Sequence, residues 1–239
     1  MTNNVGWCAR HMGQSGAWRG WAALAAVSVA MAGAAPTVVH AQAANYASLQ
    51  APYAATRDYT AAVAGGGGTT FLFQWREGAG AGMHWQLDAA LADPKGPQNP
   101  RLVLGGYLAR ELTTATPEQP LAMLLTGGIG GSFGDGSSVW RVPVGVSVGH
   151  TFDLDAGMAL TPYAHPRVAL DACARCGPGR KARTTASLNV DVGVEWKAND
   201  RFGMRAAATF SGSDVAGSDE SVTVGLTWTP AMLSGGRRR

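Results

Sequence analysis

Charge is what this sequence has least of. Asp, Glu, Lys and Arg make up 15% of its 239 residues, against about 25% in an ordinary soluble domain. The 19 basic and 16 acidic side chains leave a formal net charge of +3. Arg10 and Arg19 near the start and Arg237, Arg238 and Arg239 at the end more than account for that excess, leaving 14 basic against 16 acidic side chains, so the body is nearly neutral. A nucleic-acid surface needs clustered cations to displace counterions. The body offers one short basic group, Arg175, Arg180, Lys181 and Arg183, and no nucleic-acid partner is expected. Long apolar runs are missing after residue 43, which removes a membrane-spanning helix from the body. The glycines from Gly127 to Gly131 are followed by neither a lysine nor a helical pattern, so they are read as close strand packing and curvature, not a nucleotide loop.

One apolar stretch does exist, at the amino terminus. Arg10 and Arg19 precede Trp21 to Met31, which is followed by Pro36 and the small-residue site Ala41-Gln42-Ala43. That order of parts predicts a cleaved secretory signal over residues 1–43, with Met12 as an alternative start. An uncleaved anchor is the competing reading, disfavoured by Pro36 and by the Ala-x-Ala site. Cysteine is scarce: Cys8 falls in the leader, and only Cys173 and Cys176 remain beyond it. In an oxidising compartment that pair is expected to close a small disulfide at a loop tip. A redox pair would sit at a helix start beside a βαβ pattern, and zinc would need two more ligands.

What the body has in quantity is alternation. From about residue 69 onward apolar residues recur at every second position in runs bounded by Gly, Pro, Asp and Asn. Between Ser138 and Phe152 one face carries Trp140, Val142, Val144, Val146, Val148 and Phe152, and the other Arg141, Pro143, Gly145, Ser147, Gly149 and Thr151. Trp140 and Phe152 would lie roughly 40 Å apart along such a strand, or about 30 Å along a tilted barrel axis. A soluble sandwich also alternates, but its outer face should be rich in Lys and Glu. Here the second face holds Gly, Ser, Thr, Ala and few charges, which suits the inside of a narrow closed barrel, while the aliphatic face suits acyl chains. Hydrocarbon tolerates only helices and closed barrels, because every backbone group must be paired. The predicted fold is therefore all-β, a closed antiparallel up-and-down transmembrane barrel, in the bacterial outer membrane.

Nine runs read as strands: 69–76, 82–91, 101–112, 121–133, 138–152, 158–171, 186–197, 202–210 and 220–229. A tenth, Tyr59 to Ala64, precedes a tight turn at Gly65 to Gly68. Since single-chain bacterial barrels have an even strand number, ten is the first choice and eight the second. Residues 44–58 are expected to form a flexible periplasmic lead, 59–229 the barrel, and 230–239 a polar tail. The aromatic rim is assigned to Trp75, Trp85, Trp140, Phe152, Trp196 and Trp228. Strand parity points Arg76, His84, Asp88, Glu111, Arg141, Tyr163, His165, Arg167, Asp171, Asp191, Glu195 and Arg205 into the lumen. Buried charges are costly unless paired, so these are read as interior ion pairs that fill the barrel. No catalytic, cofactor or metal site is expected: His150 and Ser147 have opposite parity, and no serine is set in a recognisable pattern beside His165, Asp171 and Tyr163.

The leader, the alternating runs with rim aromatics, and the closing run Thr223-Val224-Gly225-Leu226-Thr227-Trp228 resemble a small bacterial outer-membrane β-barrel of the OmpA/OmpX or OmpW-like kind, over residues 59–229. The resemblance implies an assembly signal in the last strand, with Gly225 and Trp228 at matching positions, read by the barrel-insertion machinery. The chain departs from that pattern by continuing from Thr229 to Arg239. Membrane lipid and the assembly machinery are the expected partners. Lipopolysaccharide at the basic external loop is a further one, with plain solvation the favoured reading of those charges. The expected role is structural or surface-interacting, with a lumen largely filled by side chains. A narrow pore or small-ligand barrel is the alternative, and a membrane-embedded hydrolase or a soluble periplasmic lipid-binding barrel ranks lower.

Overall fold

The computed structural model describes residues 46, 48–95, 99–134, 136–175, 182–212 and 220–231. The expected leader at 1–43, Cys176, Arg180, Lys181 and most of the tail lie outside them. The strands are β1 (Arg57–Gly65), β2 (Gly68–Gly80), β3 (Met83–Pro94), β4 (Arg101–Thr113), β5 (Ala122–Gly134), β6 (Ser137–Gly149), a two-residue β7 (Phe152–Asp153), β8 (Ala159–Ala174), β9 (Arg183–Lys197), β10 (Phe202–Ser211) and β11 (Ser221–Trp228). Apart from β7, which pairs with β8 inside a turn, each strand runs antiparallel to its neighbours in sequence. β6 pairs with β8 and β1 pairs with β11, so the ten long strands form a ring. Closure leaves no exposed strand edge, which is what a sheet in hydrocarbon requires.

Alternation makes the two faces. On β11 the exposures switch residue by residue: Ser221, Thr223 and Thr227 are buried, while Val222, Val224, Leu226 and Trp228 are exposed. Leu226 is 64% exposed and Val168 61%. Apolar side chains open to this degree around a whole ring have no place in water, and they form the surface that meets lipid. Among the described residues no helix is long and apolar enough to cross a membrane; the strands are the spanning elements.

Two of the sequence expectations change. The run expected at 138–152 ends at Gly149, and Phe152 belongs to β7, paired with Leu160. The chain turns there because Asp155–Gly157 forms a short 3-10 turn that returns it into β8. The second change is larger. The lead expected to hang in the periplasm instead enters the barrel: Tyr46, Leu49, Gln50 and Ala51 are buried, and β1 begins at Arg57. Eight strands are just filled by their own side chains, whereas ten leave additional room. The lead occupies that room. Its backbone polar groups find partners on the inner wall, as any buried backbone must.

At the end of the barrel where β1 begins and β11 finishes lie the connections 81–82, 114–121, 150–158 and 198–201, and β1 turns into β2 at the other end through 66–67.

Candidate functional site

Among the described residues polar side chains gather in the lumen, in two parts. Near the end where the termini emerge, the Arg76 guanidinium donates to both Asp58 oxygens, at 2.8 and 2.6 Å. Arg205 reaches Glu195 at 2.7 Å, Thr60 at 3.0 Å and Asp58 at 3.3 Å. These four charged residues come from β1, β2, β9 and β10, consecutive around the ring through β11. They neutralise one another, and the paired, forked geometry offsets part of the cost of burying them. Further along, Arg141 pairs with Asp171 at 2.6 Å, with Ser187 donating to the same carboxylate at 2.7 Å. Arg167 pairs with Asp191 at 2.7 Å.

Other polar groups of the lumen are satisfied differently. Asp88 and Glu111 make no ion pair among the described residues. Asp88 accepts from the Tyr46 hydroxyl at 2.8 Å and from Gln86 at 2.8 Å, and Glu111 accepts from the Ala54 N–H at 2.8 Å. Burial, with the Asp88 carboxylate beside it, pushes the Tyr46 hydroxyl well above its ordinary pKa, so it remains a donor. His84 Nδ1 accepts from the Ala55 N–H at 3.2 Å. His165 meets the Ser48 hydroxyl at 3.0 Å and Thr126 at 2.8 Å. The Ser48 carbonyl accepts from Tyr163 and the Gln50 carbonyl from Ser147. The lead thus bonds to side chains on β3, β4, β6 and β8, and through the Ser48 N–H to Asp191 on β9.

All twelve residues assigned to the lumen face inward: Arg76, His84, Asp88, Tyr163, His165, Asp171, Asp191, Glu195 and Arg205 are buried, and Glu111, Arg141 and Arg167 half-buried. Asp58, Arg101 and Tyr107 also belong to the inner wall and were not anticipated. Asp58 has the inward parity of Thr60, and extending the first run by one residue would have found it. Arg101 donates to Ser132 and Ser137 near the opposite end. Tyr107 shares the parity of Glu111 but is easily taken for an outward apolar residue. Gly128 makes room for its ring: a Cβ there would overlap Tyr107, as one at Gly193 would overlap Tyr163.

The rim residues face outward. Trp85, Trp75, Tyr59 and Trp228 lie on consecutive strands, with ring centroids 4.7 Å apart for Trp75–Trp85, 6.2 Å for Tyr59–Trp75 and 5.6 Å for Tyr59–Trp228. Trp196 joins Phe202 and Trp228 along the same end. Trp140 is at the opposite end, edge-on to Phe133 at 5.2 Å, and Phe152 packs edge-on to His150. Cys173 is disulfide-bonded; Cys176 lies outside the described residues. Among the described residues no His, Cys, Asp or Glu cluster has the form of a metal site.

A cavity of about 30 Å³ lies between Tyr46, Gln50, Asp88, Tyr107, Thr126 and His165, and one of about 100 Å³ opens beside Tyr53 and Lys197 at the terminus end. A larger hollow, of about 650 Å³, is an open trough on the outer face over Ala61, Phe71, Leu91, Val224 and Leu226. Its lining is apolar, and it faces lipid.

No family model matches the chain, and no curated protein matches it in sequence. Solved structures do. The KdgM porin is 5% identical, over 72% of this chain and 99% of that one, with a TM-score of 0.37. The N-terminal β-barrel domain of Pseudomonas aeruginosa OprF is 7% identical, over 72% and 95%, with a TM-score of 0.35. LpxR from Salmonella typhimurium is 10% identical, over 72% and 100%, with a TM-score of 0.38. By its own ring closure, its polar inside and its apolar, aromatic-rimmed outside, this chain is an outer-membrane β-barrel.

Proposed function

We propose that the protein is a sealed outer-membrane barrel with a structural or surface-interaction role, neither an open porin nor an enzyme. The observation that carries this is the filled lumen. Four ion-paired residues occupy one end, the lead lies along the inner wall, and the cavity between the lead and Asp88, Tyr107 and His165 holds about 30 Å³. His165 is 2% exposed and bonded to the lead through the Ser48 hydroxyl. The closing strand β11, with Val222, Val224, Leu226 and Trp228 outward, is the segment offered to the assembly machinery, and the basic group around Arg175 and Arg183 is the part offered to lipopolysaccharide. The test is conductance. The leader-free full chain in a planar bilayer should give no single-channel steps; reproducible steps would overturn the sealed reading. Hydrolytic activity abolished by His165→Ala would overturn the non-enzymatic one.

A further inference from the structure

Three observations converge on the lead. First, it crosses the lumen yet is not part of the ring: β1 closes the barrel from Arg57 onward without it. Second, its hold on the wall is non-covalent and consists of exchangeable hydrogen bonds to Asp88, Glu111, His84, His165, Ser147 and Tyr163, together with one apolar contact group. In that group Leu49, 2% exposed, and Ala51 cluster with Ala62, Leu72, Ala90 and Val103 of the inner wall. Third, cleavage after Ala43 would leave only Ala44 and Asn45 ahead of Tyr46, so the segment would end in a free terminus with nothing large to drag through the barrel.

The charges beneath the lead are not arbitrary either. Asp58, Glu195, Asp171 and Asp191 are each neutralised by an arginine of the wall. Asp88 and Glu111, the two inner-wall carboxylates with no ion pair among the described residues, accept from the lead's Tyr46 hydroxyl and Ala54 N–H, while Asp191, already paired with Arg167, accepts from the Ser48 N–H as well. Arg101 lies toward the far end, bound to Ser132 and Ser137. Lys197 lies at the near end, 4.3 Å over the ring of Tyr53. With the lead withdrawn, the lumen would take up water, Glu111 would lose the Ala54 N–H, and Asp88 would face the water with wall donors such as Gln86 alone. Acidic side chains on a narrow pore wall favour cations.

We propose that Tyr46 and Ser48 to Thr56 form a removable plug, and that the lumen beneath it is a cation-selective pore with Asp88 as its main selectivity determinant. This rests on the sealed-barrel reading and adds an activity to it. The lead is then an intramolecular ligand, and the inner wall a site for an extended peptide of matching polarity.

The experiment compares three proteins in a phosphatidylcholine bilayer under a potassium chloride gradient: the leader-free full chain, the same chain lacking residues 44–56, and that deletion carrying Asp88→Asn. The full chain should be silent. The deletion should show steps whose reversal potential lies toward that of potassium, and Asp88→Asn should shift it toward zero. A synthetic peptide of residues 44–56, added from the side where the termini emerge, should close the deletion barrel, and a scrambled peptide should not. A deletion barrel that is folded, by its gel mobility before boiling, but silent, anion-selective or indifferent to the peptide overturns the plug. If the deletion does not fold, full-chain Leu49→Asp replaces it. Intermittent cation-selective steps support the plug, and silence overturns it. Conductance by the unaltered full chain defeats the sealed reading alone, and the plug then stands or falls on whether the deletion raises that conductance.

Discussion

Two parts of one polar lumen are held by different means. Asp58, Arg76, Glu195 and Arg205 neutralise one another, and every partner is a strand residue of the ring. Asp88, deeper in the lumen, and Glu111 and His84, near the terminus end, find donors on a segment that is not a strand at all. The first set is ion-paired once the barrel closes; the second finds these donors only after the lead has entered. The lesson concerns where stability and where change reside. An ion-paired lattice among strands cannot be altered without opening the ring, while hydrogen bonds to a threaded segment can be exchanged one at a time.

That comparison can be broken most forcefully at Arg205. Arg205→Leu leaves Asp58 and Glu195 short of a partner, and a loss of about 3–5 kcal/mol is expected, read as a lower temperature for the shift from folded to unfolded gel mobility. The same loss should appear with residues 44–56 deleted, because the lead takes no part in that network. Val168→Arg, near the middle of β8 on the outer face, should cost about 2–4 kcal/mol in lipid, measured by unfolding in vesicles; a cost near zero would mean that face does not meet hydrocarbon. Gly128→Ala sets a Cβ against both the Tyr107 ring and the Gly106 carbonyl oxygen and should cost about 1–3 kcal/mol by overpacking, with Tyr107→Ala in the same chain relieving only the ring's share of the clash. Tyr46→Phe, the mildest, removes one donor from Asp88 and should cost about 1–2 kcal/mol. Unlike Arg205→Leu, that cost should vanish when residues 44–56 are absent.

Much of the fold was legible because a strand in a two-solvent environment writes its faces into alternate residues. The run from Leu188 to Trp196 shows it, and so does the closing run to Trp228. All of the charged residues assigned inward from parity do face inward. Where the signal failed, the reasons are physical. Tyr107 packs inward beside glycines, so hydrophobicity pointed the wrong way for that one side chain. Pro143 has no N–H, and the β5–β6 ladder skips from Gly127–Val144 to Gly130–Arg141 around it, a break that blurs the run at 121–133. The lead carries no alternation, so nothing in it announced burial.

Taken alone, the order of residues determined which side of each ribbon is apolar, where the strands fall, and which charges are sheltered, because these depend on neighbours two positions away. Only the tertiary structure decided that the ribbons close as ten, which carboxylate meets which arginine, and that the amino-terminal segment fills the space left over. Those outcomes rest on contacts such as Ser48 with Asp191, 143 residues apart. No local pattern encodes a partner at that distance; it is selected when the ring closes and every buried donor must find an acceptor.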